Sequence, residues 1–229
     1  MKIVIISDLH GNYDALTALP EVGDELWVLG DIVNYGPLPA ETVSWVRNHS
    51  QVVIRGNHDD SVGHDRDPRC TPRYHEMAES TRKYSLAQLS QGDKEYLRDL
   101  PLRRTVERDG VSFYLCHAIP SNPLYGYCPE ESERWKDEVA EVKANFLLVG
   151  HTHTPFIKKI RTTTIVNPGS LGQPKTGKAD ACYAVWEDGR LELRQYPYPV
   201  ATAIQRIEKL PVSPEVKQDL STVLRTGSI

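Results

Sequence analysis

The stretch KIVIISDLH, residues 2–10, carries the pattern that decides the fold. Its apolar run, 3–6, consists of β-branched residues and is followed at once by Ser7, Asp8 and, two further on, His10. A short, continuous apolar run of this kind predicts a strand that is covered on both faces. Because residues two apart on an extended chain point to the same side, Asp8 and His10 could serve one site at the carboxyl end of the strand.

The same arrangement occurs four more times along the chain. The further apolar runs are ELWVLG (25–30), QVVIRG (51–56), VSFYLC (111–116) and NFLLVG (145–150). Polar or titratable side chains follow these runs: Asp31, Asn57, His58, Asp59, His117, His151 and His153. Helix-like stretches separate the first three runs, which indicates βαβ units and a largely parallel sheet. If the strands share a sheet edge, these side chains converge on one crevice outside their carboxyl ends.

The remaining segments follow other patterns. Residues 60–100 begin with a polar, proline-bearing loop, and helices are predicted at about 75–91 and 93–99. After Gly150 the pattern changes to hairpins, and two short helices are predicted beyond residue 200.

The length of 229 residues fits one or two domains. We find no internal repeat and no low-complexity segment that would mark a boundary between two large units. We therefore predict one domain over 1–198, which includes the insert at 60–100, and a helical tail over 199–229 that packs on the same domain.

Composition excludes several functional classes. The chain is 39% hydrophobic and 25% charged, as in an ordinary globular protein, and its net charge of −4 gives no sign of a nucleic-acid surface. No apolar run approaches the ~18 residues that span a bilayer, and the first apolar run is too short for the core of a signal peptide. The four cysteines form no CxxC pair. We therefore expect a cytoplasmic protein with free thiols and no membrane partner.

The side chains at the strand ends suit metal binding. With the adjacent His58 and Asp59 set aside, two aspartates, four histidines and one asparagine are available, whereas one zinc-like ion needs three or four donors. The set therefore fits two ions that share a carboxylate, as in sites for phosphoryl chemistry. Nitrogen and oxygen donors without thiolates suit Mn, Fe, Ni, Co or Zn better than Mg. Of these we expect Mn, with Ni, Fe, Co or Zn as alternatives. Because two divalent ions outweigh two aspartates, the crevice would attract an anionic substrate.

The ordered series of motifs resembles the calcineurin-like metallophosphoesterases, and in particular their small bacterial and archaeal phosphodiesterase-type members. The motifs are Asp8-x-His10, Gly30-Asp31, Gly56-Asn57-His58-Asp59, His117 and Gly150-His151-Thr152-His153, and NPGSLGQPK (167–175) looks like a further element of the small members. The resemblance implies an α/β fold, a four-layer α/β/β/α sandwich of two mixed sheets flanked by helices.

The resemblance also implies a role for each site residue. One metal ion would be bound by Asp8, His10 and His153, the other by Asn57, His117 and His151, with Asp31 as the bridge. A hydroxide between the two ions would attack the phosphorus atom. His58 would be the general acid that protonates the leaving group, steadied by the Asp59 carboxylate. The implied reaction is hydrolysis of a small phosphodiester, with phosphomonoesters as further candidate substrates.

One departure from the resemblance bears on specificity. Protein Ser/Thr phosphatases and symmetrical dinucleoside tetraphosphate hydrolases have an arginine at the position of Tyr35, where it holds phosphate. Those two activities stay open as alternatives, as does a non-catalytic metal-binding scaffold that resembles the retromer subunit of this fold. Arg69 and Arg73 could supply the missing cation, although solvated surface charge is the commoner role. The oligomeric state, the substrate and the native metal are left open.

Overall fold

The computed structural model describes residues 1–70 and 72–228, and within them the chain forms ten strands and eight helices. The strands are β1 (Lys2–Ile6), β2 (Glu25–Val28), β3 (Val52–Val53), β4 (Arg103–Arg108), β5 (Val111–Cys116), β6 (Phe146–Leu148), β7 (Phe156–Ile160), β8 (Thr163–Asn167), β9 (Ala181–Glu187) and β10 (Arg190–Tyr196). The helices are α1 (Tyr13–Thr17), α2 (Pro39–His49), α3 (Asn57–Gly63), α4 (Pro72–Gln88), α5 (Gln91–Asp99), α6 (Trp135–Glu138), α7 (Val200–Ile207) and α8 (Pro214–Thr226).

The strands form two mixed sheets of five strands each. The first sheet has the order β10-β9-β1-β2-β3, and the second has the order β4-β5-β6-β8-β7. Strands β1, β2 and β3 are parallel, as are β5, β6 and β8, while hairpin strands add antiparallel edges to both sheets. With helices on the outer faces, this is the four-layer α/β/β/α sandwich that the resemblance implied, so the predicted fold class is confirmed.

Every residue of β1 from 3 to 6 is apolar because both faces of this strand are buried. Ile3 and Ile5 pack into the core between the two sheets, while Val4 and Ile6 pack into the core beneath the outer helices. Successive side chains of a strand point to opposite faces, so a strand covered on both sides needs apolar residues throughout. Burying each of these side chains stabilises the fold by roughly 1.5–3 kcal/mol.

The two outer layers differ in thickness. The outer face of the first sheet is covered by several helices, among them α1, α2, α4, α7 and α8. The outer face of the second sheet is covered by the segment around α6, where Trp135 and Val139 pack on Leu147 and Phe156. The C-terminal helices α7 and α8 contact α1 and α4 respectively, and the division of the chain into residues 1–198 and 199–229 stays a prediction.

Three elements were not expected from the sequence: β4, α3 and the four-residue helix α6. Strand β4 reads RRTVER, in which only Val106 is buried, so an edge strand of this composition carries no apolar run. Helix α3 begins directly at Asn57, at a position where no helix was predicted. Within the described residues no helix combines the length and apolar character that crossing a bilayer requires.

Candidate metal centre

The predicted site residues converge on one rim of the sandwich. They come from the carboxyl ends of strands in both sheets, β1, β2 and β3 from one and β5 and β6 from the other, whereas the sequence suggested a single shared edge. Eight of the nine predicted residues are buried and one, His151, is partly exposed: Asp8, His10, Asp31, Asn57, His58, Asp59, His117, His151 and His153.

A first group of donor atoms surrounds Asp8. The Asp8 Oδ1 atom lies 3.3 Å from His153 Nε2 and 3.9 Å from His10 Nε2, and the two imidazole nitrogens are 3.1 Å apart. Two ligands that each lie ~2.1 Å from one ion are separated by about 3–3.6 Å. With Asp31 added, these atoms form a group that could hold one metal ion.

A second group shares Asp31 with the first. Asp31 Oδ2 lies 3.2 Å from His117 Nε2 and 3.8 Å from His10 Nε2, so one oxygen approaches both groups. His151 belongs to this second group, and its Nδ1 atom is 3.0 Å from Asn57 Oδ1. The donor atoms thus form two overlapping sets that meet at one carboxylate, which is the arrangement that a two-metal site requires.

Hydrogen bonds fix which nitrogen of each histidine is free. The Nδ1 atoms of His10, His117 and His153 lie 2.7–3.1 Å from backbone carbonyl oxygens, of Val33, Leu29 and Gln173 respectively. A carbonyl only accepts, so each Nδ1 carries a proton and each Nε2 faces the site, where it presents a lone pair when the imidazole is neutral. Lone pairs of His10 and His153 that face each other at 3.1 Å repel unless a cation or a proton lies between them.

Unsatisfied polar atoms at the same place support the metal interpretation. Asp8 Oδ1 and His117 Nε2 are buried, and although His153 Nε2 and Asp31 Oδ2 lie within 3.2–3.3 Å of them, neither atom makes a well-aligned hydrogen bond among the described residues. Leaving such atoms unpaired costs about 1–3 kcal/mol each, and a bound cation would satisfy both. The donor set therefore fits a pair of divalent ions.

Burial and charge–charge interactions compete in the electrostatics of the site. Burial opposes ionisation of Asp8, but His153 and His117 outweigh it, and the pKa of the Asp8 carboxyl falls below its usual value. Burial also disfavours the charged form of His117, yet the nearby Asp31 and Asp8 raise the pKa of His117 to about 10. Burial lowers the pKa of His151 to about 3. In the metal-free protein, a proton on His117 therefore takes part of the role of a cation.

We expect metal binding to release this proton. His117 has a folded-state pKa of about 10, above the ~6.5 of an unfolded histidine. Its contribution to the stability of the metal-free protein is therefore full below pH ~6.5 and lost as the pH rises through about 10. At pH 7.5, binding of Mn²⁺ should release about one proton, measured by calorimetry in buffers of different ionisation enthalpy.

The surface variant His49→Gln is the control and should release the same number of protons. His117→Gln should abolish the release. Proton release that His117→Gln leaves unchanged would contradict this assignment.

His58 lies beside the donor sets but has a different partner from the one expected. Its Nδ1 atom is 2.8 Å from Asn34 Nδ2, whereas the resemblance had implied support by Asp59. Burial lowers the pKa of His58 below the usual value. The Asn34 amide can hydrogen-bond to the His58 ring in either protonation state of the ring. Its Nδ2 donates to a neutral Nδ1, and rotation of the amide by 180° would let its buried, otherwise unpaired Oδ1 accept from a protonated Nδ1.

Asp59 supports the loop of the shared carboxylate instead. Its oxygens accept the backbone N–H groups of Asp31 (2.8 Å), Ile32 (2.8 Å) and Gly56 (2.9 Å). Burial, reinforced by the charge of Asp31, raises the pKa of the Asp59 carboxyl to about 6. The expected contact from Asp59 to the His58 ring is therefore replaced by contacts that hold the β2 loop against the start of α3. The physical reason is that three converging backbone donors take both carboxylate oxygens.

The backbone of the rim is in an uncommon conformation. Five donor residues have positive φ angles between 48° and 66°: Asp8, His10, Asp31, His151 and His153. The left-handed region crowds the Cβ atom of any residue but glycine, so such residues cluster at functional sites. Close packing accompanies it, because a Cβ atom on Gly56 would collide with the Asp31 carboxylate.

The segment at 167–175 ties several donors together, which the sequence did not reveal. Ser170 Oγ donates to the carbonyl of Asp8 (2.7 Å) and accepts the N–H of Gln173 (2.7 Å). The Gln173 carbonyl in turn accepts from His153 (2.7 Å). The motif was recognised as a family element, but its role as a clamp depends on contacts with residues far away in the sequence.

A crevice of about 340 Å³ opens over the rim. Several donor residues and His58 line it, together with aromatic and basic side chains: Tyr35, Arg69, Tyr74, Tyr125, Tyr127 and Lys175. Tyr35 is buried, its hydroxyl lies 3.5 Å from Cys70 Sγ, and its ring packs against the rings of His10 and His58. It therefore forms a wall of the crevice. The side chain of Arg73 lies outside the described part of the chain.

Comparison with known proteins agrees with this geometry. A sequence model of the calcineurin-like phosphoesterase superfamily domain matches residues 1–188, and the chain therefore belongs to the calcineurin-like phosphoesterase superfamily. The recognised resemblance is thus confirmed. This membership indicates a metallophosphoesterase-type hydrolase, and the buried Asp/His cluster could bind metal.

Individual relatives extend over different lengths. An uncharacterized protein of Methanocaldococcus jannaschii is 27% identical over 230 residues, covering 90% of this chain and 92% of its own. A metallophosphoesterase from Sphaerobacter thermophilus has 27% identity and a TM-score of 0.81, covering 96% of this chain and 99% of its own. A symmetrical bis(5'-nucleosyl)-tetraphosphatase of Methylobacillus flagellatus is 40% identical, but only over 67 residues, 26% of this chain and 24% of that enzyme.

Proposed function

We propose that the chain is a dinuclear-metal phosphoesterase that hydrolyses small phosphodiesters, with phosphomonoesters as further substrates. The observation that carries this proposal is the pair of overlapping donor sets that share Asp31, with the His58 ring in the same crevice. A single structural ion would need neither the shared carboxylate nor an additional titratable group beside it.

In this proposal each donor set holds one divalent ion, with Mn as the favoured metal. One ion is held by Asp8, His10 and His153, the other by Asn57, His117 and His151, and Asp31 is common to both. When bound, the two ions neutralise phosphate charge and make water a nucleophile at neutral pH. The carboxylates are held for this role by backbone donors, since Asp8 Oδ2 accepts from the N–H of His151 (3.1 Å) and Asp31 Oδ1 from that of His58 (2.9 Å).

His58 is proposed to transfer the proton that the leaving group needs. With Nδ1 held by Asn34, its Nε2 atom is directed toward Cys70 Sγ, 3.7 Å away, at the wall of the crevice. The pKa of the Cys70 thiol is raised to about 11, mainly by burial, so the thiol is neutral and does not compete for the proton. In its protonated form, an imidazole that faces the substrate space is a suitable general acid, and it becomes neutral when the leaving group takes the proton.

A second candidate is cleavage of dinucleoside polyphosphates. The match of 67 residues to a symmetrical tetraphosphatase favours it, whereas Tyr35, with its hydroxyl beside Cys70, cannot hold phosphate as an arginine does. The third candidate function is that of a non-catalytic scaffold. A scaffold would not need a histidine such as His58, which Asn34 holds beside the donor sets.

One assay panel separates these candidates. Protein loaded with Mn²⁺ is tested on an aryl phosphodiester, an aryl phosphomonoester and a dinucleoside tetraphosphate, before and after removal of metal by a chelator. We expect metal-dependent turnover, with the highest kcat/KM for the diester. A preference for the tetraphosphate supports the second candidate, and no turnover of any substrate by protein with two bound ions contradicts the proposed function.

A further inference from the structure

Lys175 is a cation that lines the crevice and forms no ion pair with a carboxylate in the described part of the chain. Its ammonium group lies 4.8 Å from the centre of the Tyr74 ring. Among the described residues no Asp or Glu oxygen lies within 4.0 Å of the ammonium, whereas Arg66 and Arg82 each have one. Withdrawing an unpaired ammonium from water is unfavourable. An anion bound beside Lys175 would therefore be stabilised.

The charges around Lys175 change when metal binds. Burial lowers the pKa of the Lys175 ammonium, and the nearby Asp8, Cys70 and Asp31 act in the opposite direction. Both aspartates are donors in the proposed centre, and two divalent ions would more than cancel their charge. Lys175 then lies beside a cationic centre, where only an incoming anion can balance it.

The chain holds Lys175 in a fixed place relative to the donors. It follows Gln173 by two residues, and the Gln173 carbonyl holds the His153 ring while its N–H is held by Ser170. Arg69, the cation considered from the sequence, is instead exposed, with its guanidinium 4.9 Å from the Tyr125 ring centre. An exposed charge is screened by solvent and salt, and a half-buried one far less.

We propose that Lys175 binds a non-bridging oxygen of the phosphoryl group, the contact that Tyr35 cannot make. The inference rests on the proposed phosphoesterase function and adds to it a specificity residue outside the metal donors. The ligand class is a tetrahedral oxyanion, namely the reacting phosphate and the inorganic phosphate that monoester hydrolysis releases. Because a lysine contact to phosphate exists in both ground and transition states, its loss should appear mainly in KM.

The direct test is the binding of inorganic phosphate to Mn²⁺-loaded protein by calorimetry. Lys175→Met keeps the aliphatic stem and should raise the Kd of phosphate about 10- to 100-fold, the range for a charged hydrogen bond. Lys175→Arg should retain most of the affinity. The matched control is Lys178→Met, an exposed lysine of the same loop, which should bind as the wild type does. Metal content and Tm of each variant show that the fold and the centre are intact.

The outcomes are distinct. The inference is overturned if Lys175→Met binds phosphate like the wild type, if Arg69→Met loses affinity in its place, or if the wild type binds no phosphate at millimolar concentration. Wild-type protein that binds phosphate through Lys175 but hydrolyses no ester leaves the inference standing while the proposed function fails. If the wild type hydrolyses the esters and Lys175→Met changes neither KM nor the affinity for phosphate, the proposed function stands and the inference about Lys175 fails.

Discussion

Replacement of His58 by alanine should lower kcat for an alkyl phosphoester by about 100- to 10,000-fold, the usual contribution of a positioned general acid. An alkoxide is a poor leaving group and needs a proton as the bond breaks. An aryl oxide leaves without help, so an aryl phosphoester should lose much less. The ratio of the two losses, measured at saturating substrate with both metal sites filled, isolates proton donation by His58 from any general damage.

His49→Ala provides the control for this experiment, because His49 is an exposed residue at the end of α2. It should leave both substrates unaffected. Equal losses on alkyl and aryl substrates in His58→Ala would show that His58 positions the substrate or the β2 loop and does not donate the proton.

Asp31→Asn should reduce turnover by roughly 1,000-fold or more. It would weaken the binding of two ions that share Asp31 and that stabilise the charge of the transition state by several kcal/mol. The change removes the charge of the oxygen that lies 3.2 Å from His117 Nε2 and 3.8 Å from His10 Nε2. Asparagine tolerates the φ of 54° at this position, so the fold should persist. Elemental analysis after dialysis should find fewer than two ions per chain.

Asp188→Asn is the matched control, an exposed turn residue whose φ of 48° is also left-handed. Its metal content and activity should equal those of the wild type. If Asp31→Asn kept two tightly bound ions and normal turnover, Asp31 would not be the shared ligand.

Local pattern was sufficient to predict the framework of this site. The run at 3–6 is apolar at every position because β1 lies between two cores. The carboxyl end of such a strand borders a crevice, where polar side chains can contact a ligand. The same reasoning applied to β2, β5 and β6. Their carboxyl ends could therefore be assigned to one site even though their distribution over two sheets was not visible.

Contacts between residues distant in the sequence were not predictable in the same way. The partner of His58 is Asn34, because the oxygens of the adjacent Asp59 are taken by backbone donors of another loop. Lys175 is notable for its burial and because no carboxylate oxygen of the described residues lies within 4.0 Å of its ammonium, and neither property of a lysine is visible in the sequence. Such properties arise only when the tertiary structure brings the segments together.

The left-handed backbone at the rim has a consequence for how this protein can change. For His10, His151 and His153, that conformation is unfavourable by about 1–2 kcal/mol each relative to glycine. Random variants selected only for resistance to heat should therefore gain glycine or asparagine at these three positions. Each such substitution would remove an imidazole ligand. Variants with higher thermal stability should therefore lose catalytic activity, unless activity is selected at the same time.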